Sequence, residues 1–286
     1  MTQPAIAVLP YGLSLGRAAR ELPLDRLNWP FGRPDRLSGG SLGDLGPDDH
    51  LIVYPKTKLH VLPSFGTRAR ISLVMGEPSV IHAKHITLLR LTHRRFFRVL
   101  SFNEDLLAAI PNGLFFPYGT TWVPEWRGLD RTKHRHMSLI ASAKRDTEGH
   151  RLRHAMVSRV QQAGLDVDVM GRGYTPFDAK SEGLAPYRFS VVIENVRERN
   201  YFSEKLIDAV LCDTVPIYWG CPNIDAFAQT DGMVLCRSED ELWQAIRSAT
   251  AEEYARRLPS LKAAQPSLAA FCDLEHRAAA AIRDAL

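Results

Sequence analysis

Between Tyr187 and Asn223 the chain reads YRFSVVIENVRERNYFSEKLIDAVLCDTVPIYWGCPN. An apolar run closes on Glu194 and Asn195, a polar loop follows, and Ser203 stands as an N-cap where a helix can open. A strand, a loop and a helix start in that order aim free backbone amides and the positive helix end at one place, which suits a diphosphate. Lys205, in the first turn of that helix, adds a full positive charge. Turns of this kind occur in every α/β protein, so the geometry alone also fits an ordinary strand-to-helix connection.

Other chemistry-bearing patterns fall short of their motifs. Asp166-Val-Asp168 spells the DxD that holds a divalent cation against a diphosphate, but it alternates with Leu165, Val167 and Val169 and reads as the start of a strand. His82 and His85 are followed by no third ligand at zinc spacing, and His134 and His136 lie in a polar linker. Gly171 to Tyr174, GRGY, is not GxGxxG, and GxxxxGK[ST] does not occur, which disfavours nicotinamide enzymes and P-loop NTPases.

The string ENVRERNYFSEKLIDAVLCDTVPIYWGCP resembles the signature of the α1,3-fucosyltransferases, glycosyltransferase family ten. That signature has a strand ending in Glu-Asn, then a Tyr, a Ser or Thr, Glu-Lys, and a Pro-containing apolar strand. The resemblance covers about a quarter of the chain. It implies an inverting enzyme that moves L-fucose from GDP-fucose to a glycan hydroxyl, usually O3 of an N-acetylglucosamine, with the donor in the C-terminal half. By position, Asn195, Tyr201, Glu204 and Lys205 match the family's donor contacts, with Lys205 and Tyr201 at the diphosphate and Glu204 on the ribose hydroxyls. The family also places an arginine on the first helix of the donor half. GHRLRH offers Arg153, whose spacing to Val160 fits better, and Arg151 on a different face.

In the first half, RISLVMGEPS ends a strand on an acidic turn that resembles the position of the family's base, and this assigns that role to Glu77. An inverting transfer needs one carboxylate to take the acceptor proton, while GDP needs neutralising charge rather than a general acid. No cofactor is obligatory in this scheme, and a divalent cation is at most stimulatory. Phe116 to Gly119, FPYG, is similar to a family stretch near the end of the acceptor half; it also reads as a packed aromatic turn. The same class of enzyme with another GDP or UDP sugar, and a non-catalytic nucleotide- or glycan-binding module, remain as alternatives.

Two α/β series must position these residues. Apolar runs at Ile6 to Pro10, Leu51 to Pro55, Arg70 to Met75 and Phe97 to Phe102 form the first. Met137 to Ala143, a helix over Gly149 to Ala163, and strands at VDVMG, YRFSVVIEN, VPIYWG and MVLC form the second. The expected architecture is two Rossmann-like domains facing across a cleft, the GT-B class, with an acceptor domain over residues 1–130 and a donor domain over 131–286. Trp122 to His136 would be the linker, and the last helix is free to pack back on the first domain. Balanced charge, 36 basic against 32 acidic residues, argues against a nucleic-acid partner. HRRFFR and RGLDRTKHRH are local basic runs that could steer an anion or serve as solvated segments. Cys212, Cys221, Cys236 and Cys272 form no CxxC pair and read as reduced thiols. The opening segment reads as a strand and turn, no run reaches membrane-spanning length, and membrane contact would be peripheral at most. These features suggest a soluble bacterial, cytoplasmic member.

Overall fold

The computed structural model describes residues 3–286; Met1 and Thr2, which open the first apolar segment, lie outside the described residues. The chain forms two units, Met1–Tyr118 with Leu274–Leu286, and Gly119–Asp273.

Unit 1 holds β1 (Ile6–Val8), β2 (His50–Val53), β3 (Arg70–Val74), α1 (Ser79–Thr92), β4 (Val99–Ser101), α2 (Glu104–Ala109) and β5 (Gly113–Phe115). All neighbouring pairs are parallel, in the order β1-β2-β3-β4-β5. A sheet wound in one direction by right-handed connections places them all on one face. On that face Ala7, Leu9, Leu51, Val53, Ile71, Leu73 and Val99 pack with Leu89 of α1 and Leu106 of α2. The alternate residues Ile6, Val8, Ile52, Val74 and Leu100 point to the other face, which the connections leave bare. The chain's last helix covers it with Ala278, Ala279 and Ile282. The fourth strand leads to a fifth, β5, which ends directly before the FPYG turn.

Unit 2 holds β6 (Arg135–Ile140), α3 (Glu148–Gln162), β7 (Val167–Met170), β8 (Tyr187–Ile193), α4 (Glu204–Leu211), β9 (Val215–Trp219), β10 (Val234–Leu235), α5 (Glu239–Ser248) and α6 (Ala251–Ala269); the helix returning to unit 1 is α7 (Leu274–Arg283). Its sheet runs β10-β9-β8-β6-β7, all parallel. From β6 the chain goes outward to β7, then returns past β6 to lay down β8, β9 and β10. The winding therefore reverses between β6 and β8, where an open α/β sheet offers its ligand crevice beyond the strand ends.

The stretch read as a linker is fastened to unit 2. Thr121 Oγ1 donates to Asp208 Oδ1 at 2.6 Å, and Arg131 pairs with Asp213 at 3.4 Å. Lys133 Nζ donates to the carbonyls of Ala185 and Cys212, both at 2.7 Å, and to Thr214 Oγ1 at 3.0 Å. Burial pulls its pKa down to about 8. Arg135 and His136 already belong to β6. Part of this basic run thus neutralises internal acceptors. HRRFFR is similarly engaged, with His93 on Asn112 and Arg95 on the Leu59 and Leu62 carbonyls. The four cysteines are free thiols, three of them buried. No helix among the described residues is long and apolar enough to cross a membrane.

Candidate active site

At the reversal of the second sheet, α3 and the end of β8 approach more closely than a side chain would permit. Thr147 caps α3 by accepting from the His150 N–H, and His150 Nδ1 accepts from the Thr147 N–H, both at 3.3 Å. Burial, with Arg153 nearby, pulls His150 down to about 4, so the ring is neutral and free to accept. Gly149 then sits against the strand end: its N–H donates to the Asn195 carbonyl at 2.9 Å, and a Cβ there would lie 1.7 Å from the Glu194 carbonyl oxygen. Gly149→Ala is expected to push α3 off β8 and lower Tm by several degrees, which thermal unfolding checks.

One turn further along α3, Arg153 is buried, and its Nε and Nη2 donate to the Ile193 carbonyl at 2.9 and 2.6 Å. Nη2 also reaches Asn195 Oδ1 at 3.0 Å. Burial lowers the guanidinium's pKa while Glu194, Tyr201 and Glu204 oppose that fall, and arginine stays a cation throughout. Arg151 is exposed and its Nη1 donates to the Asp146 carbonyl at 3.3 Å. Two arginines two residues apart thus point to different places, and the structure brings only Arg153 to Asn195.

The loop after β8 carries the remaining groups. Asn200 adopts φ 63°, a left-handed conformation that asparagine tolerates. Its N–H donates to Asn223 Oδ1 at 2.9 Å, and Asn223 Nδ2 donates back to Asn200 Oδ1 at 2.8 Å. This reciprocal amide pair ties the loop to the turn after β9. Tyr201 follows, 2% exposed. Ser203 caps α4 by accepting from the Lys205 N–H.

Glu194, absent from the residues singled out in the sequence, organises the start of α4. Fully buried, it accepts from Ser203 N–H at 2.8 Å and Ser203 Oγ at 2.6 Å, and Lys205 Nζ stands 3.6 Å from it. Gly220 leaves room for it, since a Cβ there would lie 2.5 Å from Glu194 Cγ. A glutamate closing an otherwise apolar strand was the signal that could have marked it. Lys205 Nζ also donates to Glu204 Oε1 at 3.1 Å. Burial works against both charges. For Lys205 the carboxylates of Glu204 and Glu194 outweigh it and hold the ammonium above the usual lysine range. For Glu204, Lys205 and Lys180 outweigh it and hold the carboxyl below its usual range.

Four residues beyond Glu204, Asp208 lies on the same face of α4, fully buried, accepting from Thr121 Oγ1 and the Trp122 N–H. Burial raises its pKa to about 7 against these hydrogen bonds. The folded chain therefore holds a proton on Asp208 at pH values where the unfolded chain has released it. That contribution to stability is complete below about pH 4 and is lost as pH rises to about 7, on the order of a few kcal/mol. Asp208→Asn removes this slope, so the wild type should lose Tm relative to the variant between pH 5 and 8; parallel pH profiles would contradict it.

Glu77 belongs to unit 1. It is exposed, on the turn between β3 and α1, with buried Pro78 behind it. A Cβ at Gly76 would lie 2.9 Å from the Tyr118 ring, so the Gly-Glu-Pro turn and the FPYG stretch, separate in sequence, pack together. Asp168, of the DxD spelling, instead accepts from Tyr187 Oη at 2.8 Å and Arg135 Nη1 at 2.7 Å on β7. His82 and His85 are joined by His60, whose Nε2 lies 3.1 Å from His85 Nδ1, an approach the sequence spacing did not reveal. Among the described residues no group of three His, Cys, Asp or Glu is arranged to hold a metal ion.

Residues 131–244 match the family described as Glycosyltransferase family 10 (fucosyltransferase) C-term. Alpha-(1,3)-fucosyltransferase FucT of Helicobacter pylori is 44% identical over 45 residues, 16% of this chain and 9% of that protein. The 4-galactosyl-N-acetylglucosaminide 3-alpha-L-fucosyltransferase FUT6 of Gorilla gorilla gorilla is 28% identical over 255 residues, 77% of this chain and 66% of that protein. The chain therefore matches less than two thirds of the length of either relative. Among solved structures, an alpha1,3-fucosyltransferase with GDP-fucose is 19% identical, covering 74% of this chain and 69% of that one at a TM-score of 0.48. A mutant of S. aureus TarM in complex with fondaparinux, alpha-GlcNAc-glycerol and UDP is 8% identical, covering 83% of this chain and 55% of that one at a TM-score of 0.53. The fold class is GT-B, built from two parallel five-stranded α/β units.

Proposed function

We propose that this chain, a glycosyltransferase whose residues 131–244 form a C-terminal domain of family 10, the fucosyltransferases, transfers L-fucose from GDP-fucose to a glycan hydroxyl. The observation that carries the reading is the convergence, inside the matched segment, of Arg153, Asn195, Tyr201, Glu204 and Lys205 on the mouth of the second sheet. Arg153, locked by the Ile193 carbonyl, and Lys205, at the positive end of α4, neutralise the diphosphate as the sugar leaves. Glu204, held ionised, accepts from the ribose hydroxyls. Tyr201 closes against the diphosphate, and Asn195 orients Arg153 and the donor.

Glu77 takes the proton of the acceptor hydroxyl as that oxygen bonds to the anomeric carbon and GDP departs from the opposite face of the sugar, inverting that centre to an α-linkage. The acceptor is an oligosaccharide bearing N-acetylglucosamine, fucosylated on O3. Charge neutralisation by two cations and a helix end makes a metal ion dispensable, so transfer survives EDTA. Donor choice is tested by thermal stabilisation across a panel of nucleotide sugars. GDP-fucose and GDP should give the largest shifts, and a larger shift with a UDP sugar would overturn the choice of donor.

A further inference from the structure

Glu204 and Asp208 form one face of α4, and Thr121 and Trp122 are pinned to that face through Asp208. The Trp122 backbone N–H donates to Asp208, and the residue is 61% exposed. Lys180, from the short helical turn Lys180–Gly183 that precedes β8, places its Nζ 5.5 Å from the centre of that ring. That turn is itself fixed: Ser138 Oγ donates to the Gly183 carbonyl at 2.6 Å and Thr214 Oγ1 to the Leu184 carbonyl at 2.7 Å. Among the described residues the Lys180 ammonium makes no hydrogen bond and no ion pair within 4.0 Å, yet it interacts electrostatically with Glu204, Lys205, Asp208 and Arg153. Burial lowers its pKa, and the attraction of Glu204 and Asp208 does not restore it.

Three cations, Arg153, Lys180 and Lys205, thus face two carboxylates, Glu194 and Glu204, beside an Asp208 only half ionised near neutrality. Arg153 and Lys205 are each committed to protein acceptors, whereas the Lys180 ammonium rests only on an aromatic face. A site with surplus positive charge and one uncommitted donor is built for an anion of more than one charge.

We propose that Lys180 is a third donor-binding cation, whose ammonium bonds the nucleoside diphosphate directly, with Trp122 as the platform that aims it. This rests on the donor-site reading above and extends it to a residue outside the segment on which the family resemblance was first read. Calorimetric titration of the full chain with GDP and with guanosine tests it. Lys180→Met should weaken GDP binding by roughly 10- to 100-fold and guanosine binding by far less, Lys180→Arg should restore most of the loss, and Trp122→Leu should weaken GDP by a smaller factor. Lys180→Met binding GDP within about twofold of wild type would overturn the proposal. So would a parallel loss of GDP and guanosine affinity with a lowered Tm, which would assign Lys180 a structural role. A wild-type chain that binds no GDP would instead overturn the donor-site reading, and the proposal with it.

Discussion

Glu77→Gln is expected to lower turnover in fucosyl transfer by roughly 10²- to 10⁴-fold. The substitution keeps the shape of the side chain and its place on the turn between β3 and α1, so the fold and the packing of Gly76 on Tyr118 should persist. What it removes is the carboxylate proposed to accept the acceptor's proton. Because Glu77 is not among the proposed donor-binding groups, GDP affinity should stay within about twofold of wild type. Steady-state kinetics with GDP titration of the same preparation checks both halves. Unchanged turnover would remove Glu77 from the role of base, and a loss of GDP affinity equal to the loss of turnover would make it a binding residue instead.

Lys205→Met should cost roughly 10²- to 10³-fold in kcat/KM. The methionine fills much the same space but leaves Glu194 and Glu204 without the ammonium that lies 3.6 and 3.1 Å from them. Two effects add in the same direction: the diphosphate loses a charge-assisted contact, and Glu204 loses the first of the cations that hold it ionised. A large loss of GDP affinity with a much smaller loss of guanosine affinity, the latter through Glu204, is the expected signature in calorimetry. Retention of wild-type kcat/KM would show that Lys205 only balances its carboxylate neighbours.

Much of the local structure around the candidate site was legible because local signals and global fold agreed at the same residues. Ser203 reads as an N-cap and caps α4; Ser238 caps α5 by accepting from the Glu241 N–H at 3.2 Å. Glu241 in turn accepts from the Arg237 N–H at 2.7 Å, one residue before the cap, where a capping box would have the Ser238 N–H donate. Gly164 stands past the end of α3 at φ +60°, as a helix-ending glycine does. The parallel strands were visible as apolar runs, and the extra strand β5 was missed because three residues beside an aromatic turn carry too little pattern.

What escaped the sequence depended on tertiary proximity. Lys180 sits in a polar stretch, DAKSEG, with nothing to mark it, and only the docking of Trp122 on Asp208 brings that aromatic face to the ammonium. Glu194 was read as the polar close of a strand, whereas its burial against Ser203 and Gly220 makes it the anchor of α4. The stretch from Trp122 to His136 read as a linker because it is polar and contains Pro124 and Gly128. Its polar groups instead satisfy carbonyls and carboxylates inside unit 2.

Incubation of the full chain with GDP-fucose and an array of N-acetylglucosamine-containing oligosaccharides, with the product linkage read by NMR, tests the central claim most directly. Transfer of one fucose in α-linkage to O3, reduced roughly 10²- to 10³-fold by Lys205→Met and surviving EDTA, is the predicted result. No transfer from GDP-fucose to any acceptor, with turnover of a different nucleotide sugar under the same conditions, would contradict it.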